Sequence, residues 1–283
     1  MGSLDGRVAI ITGAGRGLGR EHALLFAAEG AAVVVNDLST EADDVVAEIS
    51  AAGGQALASN DSITTWDGGQ ALIARAVDGF GRLDVLVNNA GMLRDRMLVS
   101  MSEDEWDDVV EVHMKGHFIP TRFAAAYWRE QAKAGHAMRA SVIHTSSTSG
   151  LLGNPGQTNY GAAKAGIGAF SIICARELAS YGVRSNCIAP AARTRLTEAT
   201  PGLGEMVAAP AEGFDVWDPA NVSPVVAYLA TAACPITGRT FFVQGGTVRV
   251  MEPWHLGARL ERDDRWTIDD LAKQLPGVSD ISP

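Results

Sequence analysis

Val8-Ala9-Ile10-Ile11-Thr12-Gly13-Ala14-Gly15-Arg16-Gly17-Leu18-Gly19 places an apolar run directly before a turn of alternating glycines, and an amphipathic segment from Leu18 to Glu29 follows. The run predicts a buried strand and the segment after it a helix. Glycines between the two allow a tight turn and close approach of backbone amides to an anion. The free N–H groups and dipole of the helix N-terminus stabilise such an anion. A glycine-rich segment by itself equally marks an ordinary loop. The flanking strand and helix give it weight, as does Asp37 at the end of the next strand, about twenty residues on. Together they read as the pyrophosphate turn of a dinucleotide site.

Outward from this turn, short β-branched runs alternate with longer Ala-rich segments, the order that builds a parallel sheet from βαβ units. Strands are expected at Val8 to Thr12, Ala32 to Asp37, Gln55 to Ser59, Val85 to Asn88, Ala140 to Thr145, Val183 to Ala189 and Thr240 to Val243. Helices are expected at Leu18 to Glu29, Thr40 to Ala52, Trp66 to Phe80, Ser102 to Ala134, Tyr160 to Ser180 and Val222 to Thr231. The fold class is therefore α/β: one Rossmann-like, doubly wound parallel sheet of about seven strands with helices on both faces, over residues 1–250. Residues 191–219, rich in Pro, Gly, Ala and Thr, read as a substrate lid. Residues 251–283 read as a C-terminal extension whose short helix has Thr267 as N-cap and Asp269 and Asp270 in its first turn. Packing on its own or a neighbouring subunit is its simplest role.

The chain has 283 residues, 47% of them hydrophobic and 20% charged, enough to bury a sizeable core. A formal charge of −10 disfavours nucleic acid and anionic membranes as partners. No signal peptide or membrane span is read. Cys174, Cys187 and Cys234 are odd in number and widely spaced, so neither a disulfide framework nor a zinc site is expected, and a reducing, cytoplasmic compartment fits.

The chemistry resides in Tyr160 and Lys164, four residues apart, with Ser147 thirteen residues before the tyrosine. On a helix that separation stacks phenol and ammonium on one face, where the cation favours the phenolate. Ser147, in Ser146-Ser147-Thr148-Ser149, follows the fifth strand and can donate to a substrate oxygen; Ser146 and Ser149 are its rivals. Asp37 can accept hydrogen bonds from both adenosine ribose hydroxyls and would repel a 2′-phosphate, so NAD is favoured over NADP. Arg16 argues the other way, since it could pair with that phosphate. Asn88-Asn89-Ala90-Gly91 ends the fourth strand at the ligand-binding edge; Asn88 can knit neighbouring strands, and Ala90 and Gly91 give a cofactor room. His113 and His117 lie four apart, but no third ligand or Glu accompanies them, so no metal is expected.

These motifs, in order and spacing, resemble the short-chain dehydrogenase/reductase family over about residues 4–250. A finer similarity is to the (3R)-hydroxyacyl-CoA dehydrogenase unit of the peroxisomal multifunctional enzyme type 2, related to 17β-hydroxysteroid dehydrogenases. Its echoes are Val35-Asn36-Asp37-Leu38, Met92-Leu93-Arg94-Asp95-Arg96 and Gly153-Asn154-Pro155-Gly156-Gln157. The resemblance implies a secondary alcohol/ketone oxidoreductase with catalytic Ser147, Tyr160 and Lys164. It also implies a nicotinamide cofactor held by Gly13, Arg16, Gly17, Leu18, Gly19, Asp37, Asp61, Ser62, Asn88, Ala90, Gly91, Tyr160, Lys164, Pro190 and either Thr194 or Thr197. His113 stands where the wider family has an asparagine that holds a proton-relaying water, so a variant relay is expected. A hydroxyacyl-CoA is the favoured substrate and a hydroxysteroid the alternative, with Arg94, Arg96, Arg193 and Arg195 as candidates for a CoA phosphate. A catalytically silent NAD sensor is the reading from another class. A homotetramer or dimer is implied.

Overall fold

Buried on both faces, the apolar runs pair side by side in an eight-stranded sheet of order β3-β2-β1-β4-β5-β6-β7-β8. The computed structural model describes residues 2–194, 204, 207–252 and 254–278. The strands are β1 (Val8–Thr12), β2 (Ala32–Asn36), β3 (Gln55–Ser59), β4 (Val85–Asn88), β5 (Ala140–Thr145), β6 (Val183–Pro190), β7 (Thr240–Gln244) and β8 (Thr247–Met251). The first seven run parallel, in registers such as Ile10 opposite Val34 and Val87 opposite Ile143. β8 is an addition to the seven expected strands. It folds back antiparallel on β7 across Gly245-Gly246, and its Thr247 to Val250 stay exposed, so it lacks the buried apolar run that marks central strands such as β1 and β4.

Helices α1 (Gly17–Ala28), α2 (Glu41–Ala51) and α8 (Ser223–Ala230) cover one face, and α3 (Trp66–Phe80), α5 (Gly116–Lys133) and α7 (Thr158–Glu177) cover the other. Alternation along the strands feeds two cores. Ala9 and Ile11 pack with Phe26, Val45 and Leu229, while Val8 and Ile10 pack with Leu72, Ala124 and Trp128. Trp128 is fully buried and places its indole N–H on the Leu83 carbonyl at 2.8 Å, so its one polar atom is satisfied.

The single helix expected from Ser102 to Ala134 is instead broken. α4 (Glu103–Val110) is started by a Ser102/Glu105 capping box, and a π turn at Glu111–Lys115 separates it from α5. A short α6 (Thr148–Leu152), capped by Ser147, precedes α7. Strand order reverses between β1 and β4, and that switch point opens a crevice at the carboxyl ends of the strands.

Contacts divide the chain into Met1–Met251 and Glu252–Pro283. Within the second unit, α9 (Ile268–Gln274) has the expected Thr267 cap, which accepts from the Asp270 N–H at 3.2 Å. The Arg262 guanidinium lies over the Trp266 ring at 5.4 Å and pairs with Asp264 and Asp270. Among the described residues no helix is long and apolar enough to cross a membrane.

Candidate active site

A cavity of about 670 Å³ occupies the switch-point crevice. At one end stands the glycine turn. Gly13 and Gly17 have φ of 61° and 54°, a region other residues rarely adopt, and a Cβ on Gly13 would sit 2.6 Å from the Ala90 Cα. Gly19 does not face the cavity. It lets α1 approach the turn, since a Cβ there would lie 2.2 Å from the Gly13 carbonyl oxygen. No side chain caps α1, so its first N–H groups remain available beside Gly17 and Leu18 in the cavity wall.

Neighbouring strand ends hold this turn in place. The Asn89 amide donates to the carbonyls of Thr12 and Gly13 at 3.0 and 3.1 Å, and the Thr12 hydroxyl accepts from the N–H groups of Asn89 and Ala90. Asn89 and Thr12 were not singled out from the sequence; Asn89 was legible only as the neighbour of Asn88. Asn88, expected among the cofactor residues, does not line the cavity. It is fully buried under the cavity floor and donates to Thr121 at 2.9 Å, with the His144 ring 3.3 Å away, so it ties strand to helix.

Asp37, Asp61 and Ser62 line the cavity next to the turn, with Asn36, Leu38, Ser39, Ile63 and Thr64 between them. The Asp37 carboxylate is oriented by the Gly15 N–H at 3.1 Å and by the Ser39 N–H and hydroxyl at 3.0 and 2.9 Å. Arg16 also lines the cavity, and its guanidinium pairs with Glu41 at 3.0 Å, so a second carboxylate stands beside Asp37. Turn and carboxylates fit an adenosine diphosphate moiety: donors where phosphate oxygens would lie, and acceptors beyond them for ribose hydroxyls.

At the other end the cavity is closed by Ala90, Gly91, His113, Tyr160, Lys164, Pro190 and Thr194. Arg195 and Thr197 lie outside the described residues, as do residues 195–203 of the expected lid. Lys164 is 2% exposed, donates to the Thr145 carbonyl at 2.6 Å, and holds its Nζ 5.4 Å from the centre of the Tyr160 ring. Ser147 lies beside the phenol, outside the cavity wall, with its Oγ accepting from the Ser149 N–H at 3.1 Å. Its two rivals are otherwise engaged: Ser146 donates to the Lys164 carbonyl at 2.7 Å and Ser149 to Gln157 at 2.7 Å.

Burial pushes the Tyr160 phenol up to about 12; the Ser147 hydroxyl pulls against this and the Asp95 carboxylate adds to it. Burial likewise pushes Lys164 down from 10.5 to about 7, opposed by the Cys187 thiol. Burial is thus the dominant influence on both groups. A protonated Lys164, its Nζ 5.4 Å from the ring centre, favours the phenolate. Burial favours the neutral form of both groups, a phenol that can give a proton beside an amine.

The π turn aims the buried His113 at Tyr160, edge to face at 5.1 Å, and sets its Nε2 2.8 Å from the Met92 carbonyl oxygen. The expected phosphate-binding arginines are already engaged: Arg94 by Asp108, Arg96 by Glu105 and Arg193 by Asp215. Asn159 secures the catalytic helix by donating to the Arg94 and Glu105 carbonyls at 3.0 and 2.8 Å, a role with no sequence signal.

Comparison with known proteins agrees with this arrangement. Residues 7–206 match the family described as short chain dehydrogenase. The hydroxyacyl-CoA dehydrogenase ChsB1 of Mycobacterium tuberculosis is 46% identical, over 96% of this chain and 88% of that protein. The peroxisomal multifunctional enzyme type 2 of Drosophila melanogaster is 45% identical over 98% of this chain, which spans 46% of it. The crystal structure of a short chain dehydrogenase from Mycobacterium avium superposes with a TM-score of 0.89 at 46% identity, covering 98% of this chain and 95% of that one. The chain belongs to the short-chain dehydrogenase/reductase family, enzymes that use a nicotinamide dinucleotide to act on CH–OH groups.

Proposed function

We propose that the protein interconverts a (3R)-3-hydroxyacyl-CoA and its 3-oxoacyl-CoA with NAD as cofactor. The observation that carries the reading is a crevice with Tyr160 and Lys164 at one end, Ser147 beside the phenol, and the glycine turn and Asp37 at the other end. The names of two relatives, a hydroxyacyl-CoA dehydrogenase and a peroxisomal multifunctional enzyme, favour the acyl-CoA substrate over a hydroxysteroid, the second reading.

The nicotinamide ring supplies hydride exchange when bound. Everything else falls to the chain. Gly13, Gly17 and the start of α1 would hold the pyrophosphate, with Arg16 and Leu18 beside them, Gly19 shaping the turn, and Asp61 and Ser62 lining the cavity next to Asp37. The two carboxylates Asp37 and Glu41 disfavour a 2′-phosphate, and the Arg16 guanidinium is paired with Glu41, which favours NAD as the cofactor. Ala90, Gly91, Pro190 and Thr194 border the nicotinamide end. In ketone reduction the Tyr160 phenol would give its proton to the carbonyl oxygen. In alcohol oxidation the phenolate, favoured by a protonated Lys164, takes the hydroxyl proton. Ser147 donates to the substrate oxygen in both directions. Exposed apolar residues on α5 and α7, Phe118 and Ile173, support assembly into a dimer or tetramer. Three buried free cysteines suit a reducing compartment such as the cytoplasm.

The test is NADH absorbance with NAD and with NADP, across 3-hydroxyacyl-CoA chain lengths and a steroid panel. Tyr160→Phe should bind NAD and lose turnover by a factor of ~10² or more. Near wild-type turnover in that variant overturns the assignment, and a steroid preference overturns the substrate.

A further inference from the structure

The segment after β4 carries a carboxylate with no part in the chemistry described above. Asp95 is exposed, but its place is fixed, because the Gln157 amide donates to its Oδ2 at 2.8 Å. Gln157 is 7% exposed, and its Oε1 accepts from the Ser149 hydroxyl at 2.7 Å and the Asn154 amide at 3.0 Å. A carboxylate can only accept, so the N–H end of Gln157 must face Asp95. Two further bonds strap the segment to the approach of α7: the Arg96 N–H donates to the Gly156 carbonyl at 2.8 Å, and the Asn159 amide to the Arg94 carbonyl at 3.0 Å. The Ser149 N–H in turn donates to the Ser147 Oγ. A chain of hydrogen bonds through Gln157 and Ser149 thus ties Asp95 to Ser147.

Among the described residues no cation pairs with Asp95, and its neighbours Arg94 and Arg96 are taken by Asp108 and Glu105. Its charge is left uncompensated. Tyr160 is faced by Lys164 from its own helix, His113 from the π turn and Asp95 from this segment. The Asp95 field reaches the phenol and adds to burial in keeping it protonated, while burial drives Lys164 and His113 toward neutrality. Substrate meets the same field. With the cofactor in the crevice, the reacting carbon approaches Tyr160 from the side that Ser147 marks, and that is the side to which Asp95 is tied.

We propose that Asp95, positioned by Gln157, is a specificity-determining residue that confines the enzyme to substrates whose carboxyl group is esterified. A free 3-hydroxy acid carries its carboxylate one methylene beyond the reacting carbon, so bringing that carbon to Tyr160 also brings two like charges together. A thioester has neutral atoms at that point, and its phosphates lie at the far end of the pantetheine arm. The filter works by exclusion and asks nothing of the acyl chain. Gln157 is a positioning residue: without its amide the carboxylate is free to swing out to water, where the high dielectric weakens its field. The inference rests on reading Tyr160 as the acid/base at the reacting carbon.

The test is the ratio of kcat/KM for methyl (R)-3-hydroxybutyrate to that for free (R)-3-hydroxybutyrate in the full chain with NAD, a ratio in which any change in Tyr160 itself cancels. The wild type should favour the ester by ~10-fold or more. Asp95→Asn keeps an oxygen to accept from Gln157 and loses only the charge, so its ratio should fall to within about threefold of unity. Raising KCl to ~0.5 M should narrow the wild-type ratio and leave that of Asp95→Asn unmoved. A wild-type ratio near unity overturns the proposal, and so does an equal ratio in the two proteins. If Asp95→Asn does not fold, the wild type decides alone: a ratio insensitive to KCl refutes the charge filter. Acetoacetate and methyl acetoacetate titrated into the enzyme–NAD complex give the same comparison without turnover. A chain that binds the ester, rejects the acid and oxidises neither alcohol therefore defeats the acid/base reading and supports this one, whereas a chain that oxidises both alike defeats this one alone.

Discussion

Replacing Lys164 by methionine should stabilise the fold while disabling the enzyme. Burial carries the amine from 10.5 to about 7. In the unfolded chain at neutral pH the amine is protonated; in the folded chain it is driven toward neutrality. At 1.36 kcal/mol per pH unit this opposes folding by ~4–5 kcal/mol at pH 7. Methionine, of similar length, removes that penalty but leaves the Thr145 carbonyl without its 2.6 Å donor, at ~1–3 kcal/mol. A net gain of ~2 kcal/mol remains, about 5 °C in Tm for a chain of this size. The sign with pH follows from linkage. Between pH 7 and 10.5 the unfolded chain binds the proton and the folded chain does not, so wild-type stability from this group rises with pH. The advantage of Lys164→Met should therefore shrink steadily above pH 7. Denaturant titrations of both proteins from pH 6 to 10, with NADH-based activity alongside, measure both effects. A methionine variant less stable than wild type at pH 7, or an advantage that grows with pH, refutes the view of Lys164 as a desolvated amine.

Two further substitutions probe the cofactor end. Gly19→Ala forces a methyl group to within 2.2 Å of the Gly13 carbonyl and 2.6 Å of the Asn89 amide, so the turn must shift at ~1–3 kcal/mol. Calorimetry should show NAD binding weakened ~10-fold or more, and an unchanged Kd would mean the turn does not carry the pyrophosphate. Asp37→Ala removes the acceptor for the ribose hydroxyls and a repulsive charge. Its kcat/KM should fall ~10-fold or more with NAD and rise ~10-fold with NADP; parallel losses with both cofactors would place the discrimination elsewhere.

Local patterns that coincide with burial were legible in the sequence. The runs from Val8 and Val183 are covered on both faces, and Trp66–Phe80 matches its expected bounds because Thr65 caps it and Gly81 ends it at φ 81°. The exposed β8 lacks that pattern, and the π turn falls in Glu111–Lys115, where only Val112 and Met114 are apolar and a change of phase leaves little mark. Tyr160, Lys164 and the glycine turn announce themselves by spacing. Asn88 reads from sequence as either a knitting or a cofactor residue, because an amide at a strand end can point up to a ligand or down to the helix layer, and only packing turns its side chain to Thr121. The pKa of Tyr160 was beyond reach for a similar reason: spacing gives the distance to a charge, while desolvation depends on the whole surrounding shell.

The π turn at Glu111–Lys115 also makes the long helical segment two rulers set to different zeros. An α-helix advances roughly 100° per residue, so deleting one residue from this turn would restore a regular helix only by rotating everything after it by about that angle. His117 would leave His144, and Ile119, Ala124 and Trp128 would leave the interior they now fill. Conversely, phasing the helix to α5 would swing His113 away from Tyr160. The misfit is therefore a fixed phase offset between a catalytic half and a packing half, and length changes here are forbidden even where individual side chains are free to vary.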